Sequence, residues 1–258
     1  MKISLITLSF NSEQNILRTL KSVKSQRNSK IEYLIFDGAS KDNTIKLIKK
    51  FKPKKSIFIS KKDRGMYFAL NKAIKRSTGD VIGILHSDDI FYNKNIINNV
   101  LKKFNKTDAN IIYGDIKYVD SKLKVFRNWT ANSKKFANKI MLSDDYLKII
   151  KTGWMPPHPG FFFKKELILK RKLFNTKYSI SSDYDFMIRL ILNPKSKIYY
   201  LPKYIALMQL GGKSTLLSNI IKKSFEDYKI IRNNNIGGLL TLFLKNARKI
   251  KQFFRIFD

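Results

Sequence analysis

Apolar and polar positions along the first 115 residues switch repeatedly between two periods. Residues 2–10 form a short β-rich apolar run. Over 13–25, Ile16, Leu17, Leu20 and Val23 fall at helical spacing behind Ser12, a plausible cap. A second strand is predicted over 31–36. A helix over 42–51 turns Ile45, Leu47 and Ile48 inward, and a short strand covers 56–59. The pattern then predicts a helix over 65–77, a strand over 80–85, a helix over 95–104 and a strand over 109–113. Such alternation argues for a parallel sheet covered by helices.

From Asp115 the pattern changes. Short strands are expected at 116–119 and 125–129 around a turn at Asp120-Ser-Lys122, and another at 161–163. A helix is expected over 185–192, and extended segments at 198–201 and 204–210. From Leu217 to Phe257 the chain reads as helical and basic. No internal repeat or low-complexity linker divides it.

Cysteine is absent, so a disulfide framework, a thiolate nucleophile and a cysteine-based zinc site are excluded; this suits a reducing compartment. The apolar N-terminal run is short and lacks a small-residue cleavage site, so it reads as a strand rather than a signal peptide. No stretch of about 18 apolar residues predicts a spanning helix. The 52 Lys and Arg against 19 Asp and Glu give a formal charge of +33, which attracts nucleic acid, anionic lipid or phosphorylated substrates. The cations are spread along the whole chain. With the many Lys, Asn and Ile residues, they fit an A/T-biased genome equally well, so charge alone assigns no partner.

Four polar clusters fall at predicted strand ends or loops. They are Thr7-Leu-Ser-Phe-Asn11, Asp37-Gly-Ala-Ser-Lys-Asp42, Asp63-Arg-Gly-Met-Tyr67 and His86-Ser-Asp-Asp89. Ligands of open α/β sheets bind outside the carboxyl ends of strands. Two carboxylates there need a positive partner, and a divalent metal on a diphosphate would serve. The competing reading makes Asp88 or Asp89 the cap of a helix starting near Asn93. Asp37 can accept hydrogen bonds from a base or ribose, Gly38 permits close backbone approach, and Asp42 fits a helix cap. Arg64 could reach a diphosphate beside a helix N-terminus.

Taken together, these clusters, with Lys62-Asp-Arg-Gly-Met-Tyr-Phe-Ala-Leu-Asn-Lys-Ala-Ile-Lys75 and Thr78-Gly-Asp80, resemble the family 2 glycosyltransferases of the GT-A fold. The likeness covers most of residues 1–120. It continues more thinly through His158-Pro-Gly-Phe-Phe-Phe163, Ser182-Asp-Tyr-Asp-Phe-Met-Ile-Arg189 and Gly211-Gly-Lys-Ser214. It implies a Rossmann-like α/β fold with a mixed, mostly parallel sheet flanked by helices. Residues 1–215 would be the catalytic domain, with a nucleotide-binding half at 1–115 and an acceptor half at 116–215. Residues 216–258 would be a basic C-terminal helical extension.

By resemblance, Asp37 contacts the nucleobase, Asp88 lies near the ribose, and Asp89 is the metal-binding carboxylate of the family's Asp-x-Asp element, whose first Asp is absent here. Thr7, Asn11, Arg64 and Lys213 join the donor site, Lys213 from a loop that closes over the donor. Oxygen ligands suit Mn²⁺ or Mg²⁺. Asp183 matches the catalytic base, with Ser182 where many relatives have Glu, and Asp185 is the runner-up. The alternative for Asp183 is a helix cap. Arg189 reads as structural or as an ion-pair partner. His158 falls beside the acceptor site, with a satisfied structural imidazole as the alternative, and His86 reads as strand-end packing. Trp154 could stack on a sugar, although core packing is the safer reading for a tryptophan.

The resemblance implies an inverting transfer of one sugar from a nucleoside-diphosphate sugar, UDP-hexose or UDP-N-acetylhexosamine, to a saccharide acceptor. No Gln-x-x-Arg-Trp element is present, which argues for single addition rather than polymer synthesis. Bacterial relatives of this kind build lipopolysaccharide, O-antigen or capsule on lipid diphosphates. A cytoplasmic enzyme, peripheral at the inner face of the plasma membrane, is therefore expected. Residues 211–258 hold ten Lys/Arg and three Asp/Glu between apolar positions, a pattern that suits an anionic membrane surface or packing on the catalytic domain. Three readings compete. A sugar nucleotidyltransferase would need a Gly-rich N-terminal phosphate loop, which is missing. A nucleic-acid-binding protein fits the charge but not the acidic clusters. An inactive scaffold is disfavoured by Asp37, Asp88, Asp89 and Asp183.

Overall fold

A computed structural model describes residues 1–27, 30–130, 136–168, 173–209 and 217–253. Ten strands form one sheet. Its spine runs β3 (Ile57–Ser60), β2 (Ile31–Asp37), β1 (Ile3–Ser9), β4 (Val81–Ile84), β9 (Phe161–Lys164), β6 (Ile111–Val119), β10 (Lys197–Gln209) and β5 (Asp89–Phe91). β7 (Val125–Trp129) adds to β6, and β8 (Ile140–Leu142) to β10. The pairings β1–β2, β2–β3, β1–β4 and β6–β10 are parallel; β9, β5, β7 and β8 run against their neighbours. The result is the mixed, mostly parallel sheet that the sequence leads one to expect.

Strand side chains point alternately to opposite faces, so the strands feed two cores. Ile6, Leu8, Leu34, Phe36, Ile82 and Ile84 enter one, and Ile3, Leu5, Tyr33, Ile35, Val81 and Leu85 the other. Helices α1 (Ile16–Lys24), α2 (Thr44–Phe51) and α4 (Ile96–Lys106) close the second core through Ile16, Leu20, Ile48 and Val100. The first is closed by α3 (Met66–Arg76), α5 (Ser143–Lys151), α6 (Ser182–Ile191) and α7 (Leu217–Asn233), through Leu70, Ile150, Phe186 and Ile230. The strand order reverses between β1 and β4. That switch opens a crevice beyond their carboxyl ends, where ligands bind in open α/β sheets.

Several boundaries differ from the sequence reading. Strand β6 runs unbroken through Gly114-Asp115. A Cβ at Gly114 would lie 2.6 Å from Ile205 Cγ1, so glycine here lets β10 approach rather than ending the strand. The two extended segments near residue 200 are one strand, bulged around Pro202, which cannot donate to a ladder. The short β5 and β8, and α5, were not foreseen. The basic tail is two helices, α7 and α8 (Leu239–Phe253), broken where Asn235 and Gly237 take positive φ of 54° and 138°. The caps also move: α1 is preceded by Asn15 rather than Ser12, and α2 by Asn43 rather than Asp42.

Candidate active site

The loop after β4 carries His86-Ser-Asp-Asp89. It is not a helix cap, because α4 begins only at Ile96 behind Asn95. The turn is pinned from α1, where the Thr19 hydroxyl bridges the carbonyls of Ser87 and Asp89 at 2.9 and 2.8 Å. The hydroxyls of Ser12 and Ser87 lie 2.8 Å apart and tie it to the loop after β1. Asp89 begins β5 and pairs with Met208 of β10, which fixes its backbone.

The Asp89 side chain is the anomaly of the molecule. The residue is 1% exposed, and among the described residues neither carboxylate oxygen has a hydrogen-bond partner. Burial, reinforced by the charge of Asp88, holds its carboxyl well above the usual range. A buried anion without donors is costly unless a cation completes it, so Asp89 fits the role of a divalent-metal ligand. Among the described residues no group of three His, Cys, Asp or Glu side chains could hold a metal ion. The remaining ligands would therefore be diphosphate oxygens and water, the usual shell of Mg²⁺ on a nucleotide.

Asp183 lies in the first turn of α6, behind Ser181, and is not the helix cap. Tyr67, in the first turn of α3, donates to the Ile180 carbonyl at 2.7 Å and to Asp183 Oδ1 at 3.3 Å, joining the two halves of the fold. Burial and the neighbouring Asp183 charge keep the Tyr67 phenol well above its usual range, so it stays a donor. Asp183 also acts electrostatically on His86, His158 and Tyr118; Asp88 acts on His86, and Asp89 on Tyr118. Burial pushes the Tyr118 hydroxyl up to about 12, with Arg127 opposing and the two carboxylates adding. One cluster thus brings together Asp88, Asp89, Asp183, His86, His158 and Tyr118.

His86 and His158 stack with ring centroids 5.4 Å apart and planes 11° from parallel. Burial lowers the His158 pKa to about 4, the pull of Asp183 upward notwithstanding, and lowers that of His86 as well. The His158 imidazole is neutral at pH 7. His158 therefore offers a hydrogen-bonding or ligating nitrogen at the site, not a positive charge for a phosphate.

Other expectations change. Thr7 is fully buried within β1; its hydroxyl donates to Leu85 O at 2.6 Å and accepts from Tyr33 at 2.9 Å, so it does not face a donor. Asp37 is 3% exposed and accepts from Ser9 Oγ, Ser40 N, Ser40 Oγ and Ser60 Oγ. With its oxygens so occupied, it organises the loops after β1, β2 and β3 rather than presenting a free carboxylate to a base. Asp185 follows Asp183 by two residues and so points to another side of the helix. It is 5% exposed and bound by Arg189 Nε at 2.8 Å and Asn234 Nδ2 at 3.3 Å, so it does not join the cluster. Trp154 packs edge-on to Tyr113 and beside Tyr146 in the core, the safer of its two sequence readings. His86 is part of the cluster rather than strand-end packing.

Asn11 remains at the strand end, at φ 47°, with its Oδ1 accepting from Lys41 N at 3.0 Å. Arg64 is exposed directly before α3, whose first turn carries no acidic residue. Lys213 and the Gly211–Ser214 motif lie outside the described residues. Sequence reasoning missed Thr19, Tyr67 and Tyr118. Only Tyr67 left a signal, by its position in the motif before α3.

The model of the Glycosyl transferase family 2 matches residues 4–170. An uncharacterized glycosyltransferase of Mycobacterium tuberculosis is 25% identical over 195 residues, 74% of this chain and 69% of that protein. Two solved structures share the fold. Residues 1–349 of Staphylococcus aureus TarS, in complex with UDP-GlcNAc, superpose with a TM-score of 0.67 at 18% identity, covering 91% of this chain and 65% of that one. The mannosyltransferase PcManGT from Pyrobaculum calidifontis, in complex with GDP-Man and Mn²⁺, gives 0.61 at 15% identity, covering 90% and 63%. This chain thus spans slightly less than two thirds of either of these solved chains.

Proposed function

The chain belongs to glycosyl transferase family 2, and from that premise we propose that it moves one sugar, with inversion, from a nucleoside-diphosphate sugar to a saccharide acceptor. One observation carries the reading: the buried, hydrogen-bond-free Asp89 carboxylate in one cluster with the half-buried Asp183. An anion that wants a cation, and a second carboxylate held by a tyrosine, are the two groups that such a displacement requires.

The nucleotide would lie in the crevice between β1 and β4, near Asn11, Arg64 and Asp88. The α3 N-terminus would add partial positive charge toward the diphosphate. Asp89 would hold Mn²⁺ or Mg²⁺, which when bound neutralises the departing diphosphate. Asp183 accepts the proton of the acceptor hydroxyl as that oxygen attacks the anomeric carbon, and the nucleoside diphosphate leaves from the opposite face. Tyr67, donating to Asp183 Oδ1, orients the base without taking its proton. His158 lies on the acceptor side as a neutral hydrogen-bonding group. The UDP-GlcNAc complex of TarS supports a UDP sugar, and the GDP-Man and Mn²⁺ complex of PcManGT supports the metal. The acceptor we propose is a lipid-diphosphate-linked saccharide of surface polysaccharide assembly.

Calorimetry of UDP, GDP and TDP with and without Mn²⁺ tests the donor half. Metal-dependent binding of one nucleotide, absent in Asp89→Ala, is expected. Binding to none of the three would overturn the reading.

A further inference from the structure

Helices α7 and α8 each have one face committed to the catalytic domain. On α7, Glu226 accepts from the backbone N–H groups of Ser179, Ile180 and Ser181 at 2.8–2.9 Å. Asp227 is 1% exposed and meets Lys245 of α8 at 2.5 Å. Lys245 Nζ also lies 3.4 Å from the centroid of the Tyr184 ring on α6. On α8, Thr241 donates to Lys151 O and Arg248 to Thr152 O, closing the end of α5.

The outward faces are unlike the surface of a soluble helix. Ile221 is 83% exposed and Phe225 58% on α7; Leu239 is 70%, Leu240 71% and Phe243 68% on α8. The exposed charged residues of α7 carry one sign. Lys222, Lys229 and Arg232 are exposed on α7, and Lys229 Nζ sits 4.3 Å over the Phe225 ring. Both acids of α7, Glu226 and Asp227, are buried on the inward side, and α8 contains no Asp or Glu.

We propose that these faces of α7 and α8 dock on an anionic lipid bilayer, with Ile221, Phe225, Leu239, Leu240 and Phe243 entering the interface and the lysines meeting the headgroups. Exposed apolar side chains among cations are the pattern of helices that lie in a membrane surface. A second copy of this chain is the wrong occupant, because each copy carries a formal charge of +33 and repels the other. Nucleic acid would use the cations but leave the apolar side chains in water. No helix among the described residues is long and apolar enough to cross a membrane, so the contact is one of lying on the surface. α7 also holds the Ser179–Ser181 segment ahead of Asp183, which would place the proposed base near the bilayer. Only this last link rests on the transferase reading; the membrane contact itself does not.

The absence of cysteine makes the test direct. Phe225→Cys, Phe243→Cys and, as a control, exposed Lys54→Cys are labelled with an environment-sensitive fluorophore in the full chain. Each is mixed with vesicles of neutral phosphatidylcholine, or with 30% phosphatidylglycerol added, an order-of-magnitude anionic content of about one lipid in three. Labels at 225 and 243 should shift to the blue and be quenched by lipid-borne quenchers on anionic vesicles alone, while the label at 54 should not. Leu239→Ser with Phe243→Ser should lower vesicle partitioning roughly a hundredfold, with the circular dichroism spectrum unchanged. No partitioning, equal response at all three labels, partitioning that survives the double substitution, or a shift that follows protein concentration without vesicles would each overturn the proposal. The vesicle assay needs no nucleotide, so its failure leaves the transferase reading standing, and the reverse holds too.

Discussion

Glu226→Ala tests whether the C-terminal helices are part of the catalytic fold or an appendage. The Glu226 carboxylate is 7% exposed and accepts four hydrogen bonds: from Ser179 N at 2.8 Å, Ser179 Oγ at 3.0 Å, Ile180 N at 2.9 Å and Ser181 N at 2.8 Å. A hydrogen bond to a charged group contributes about 1.5–3 kcal/mol, and a buried donor left bare costs a similar amount. Ser179 is exposed, and its donors recover water. Ser181 is fully buried and Ile180 half-buried, so about 2 kcal/mol belongs to the first and about 1 to the second. The variant should lose about 3 kcal/mol, which lowers the melting temperature by roughly 6–10 °C for a chain of this size.

The pH dependence follows from the same bonds. Burial alone would raise the Glu226 pKa, but the backbone donors of Ser179, Ser181 and Ile180 outweigh it and hold the pKa below the ordinary value. A depressed folded pKa contributes stability above the unfolded value and loses it as pH falls through the folded one. The gap between wild type and variant in urea melts should be full at pH 7 and shrink below about pH 4. Metal-dependent nucleotide binding, centred on Asp89 rather than on the Ser179–Ser181 segment that Glu226 holds, should survive. Coincident melts at pH 7, or a gap of equal size at pH 3, would refute the reasoning.

Four further outcomes are expected. Asp183→Asn should keep metal-dependent nucleotide binding and lose about 10²–10⁴ in transfer rate. Asp185→Asn should instead lose about 2 kcal/mol of stability with its Arg189 partner, and a rate defect without a stability defect would return Asp185 to the site. Asp89→Asn should lose Mn²⁺-dependent nucleotide binding while stabilising the metal-free protein by about 1 kcal/mol in urea melts, because it removes a buried carboxyl whose ionisation burial and Asp88 oppose; retained metal-dependent binding would refute it. Gly153→Ala should cost at least about 2 kcal/mol, since φ is 77° and the new Cβ would lie 2.2 Å from Lys245 N; an unchanged melt would mean that α8 is not docked as described.

The sequence by itself determined the layered sheet, because the alternation of apolar periods is local and each strand and helix announces its own buried face. It also determined that acidic clusters close the strands, and the order of those clusters carried the family resemblance. Which carboxylates are available was a different matter. Asp37, Asp89, Asp183 and Asp185 look alike in sequence, yet serines saturate Asp37, Arg189 takes Asp185, Tyr67 holds Asp183, and Asp89 is left without a donor. Thr7 likewise looks available in sequence and is buried in the structure. The tail shows the same division: its mixture of cations and apolar residues is plain in the sequence, but which of them face inward is not. Apart from Arg189, four residues after Asp185, and Ser40, three after Asp37, the partners that decide these cases are remote in sequence, such as Ser9 with Asp37, 28 residues apart, or Tyr67 with Asp183, 116 apart. Such contacts exist only once the sheet has brought the strand ends and the α6 N-terminus together, so no local pattern can encode them.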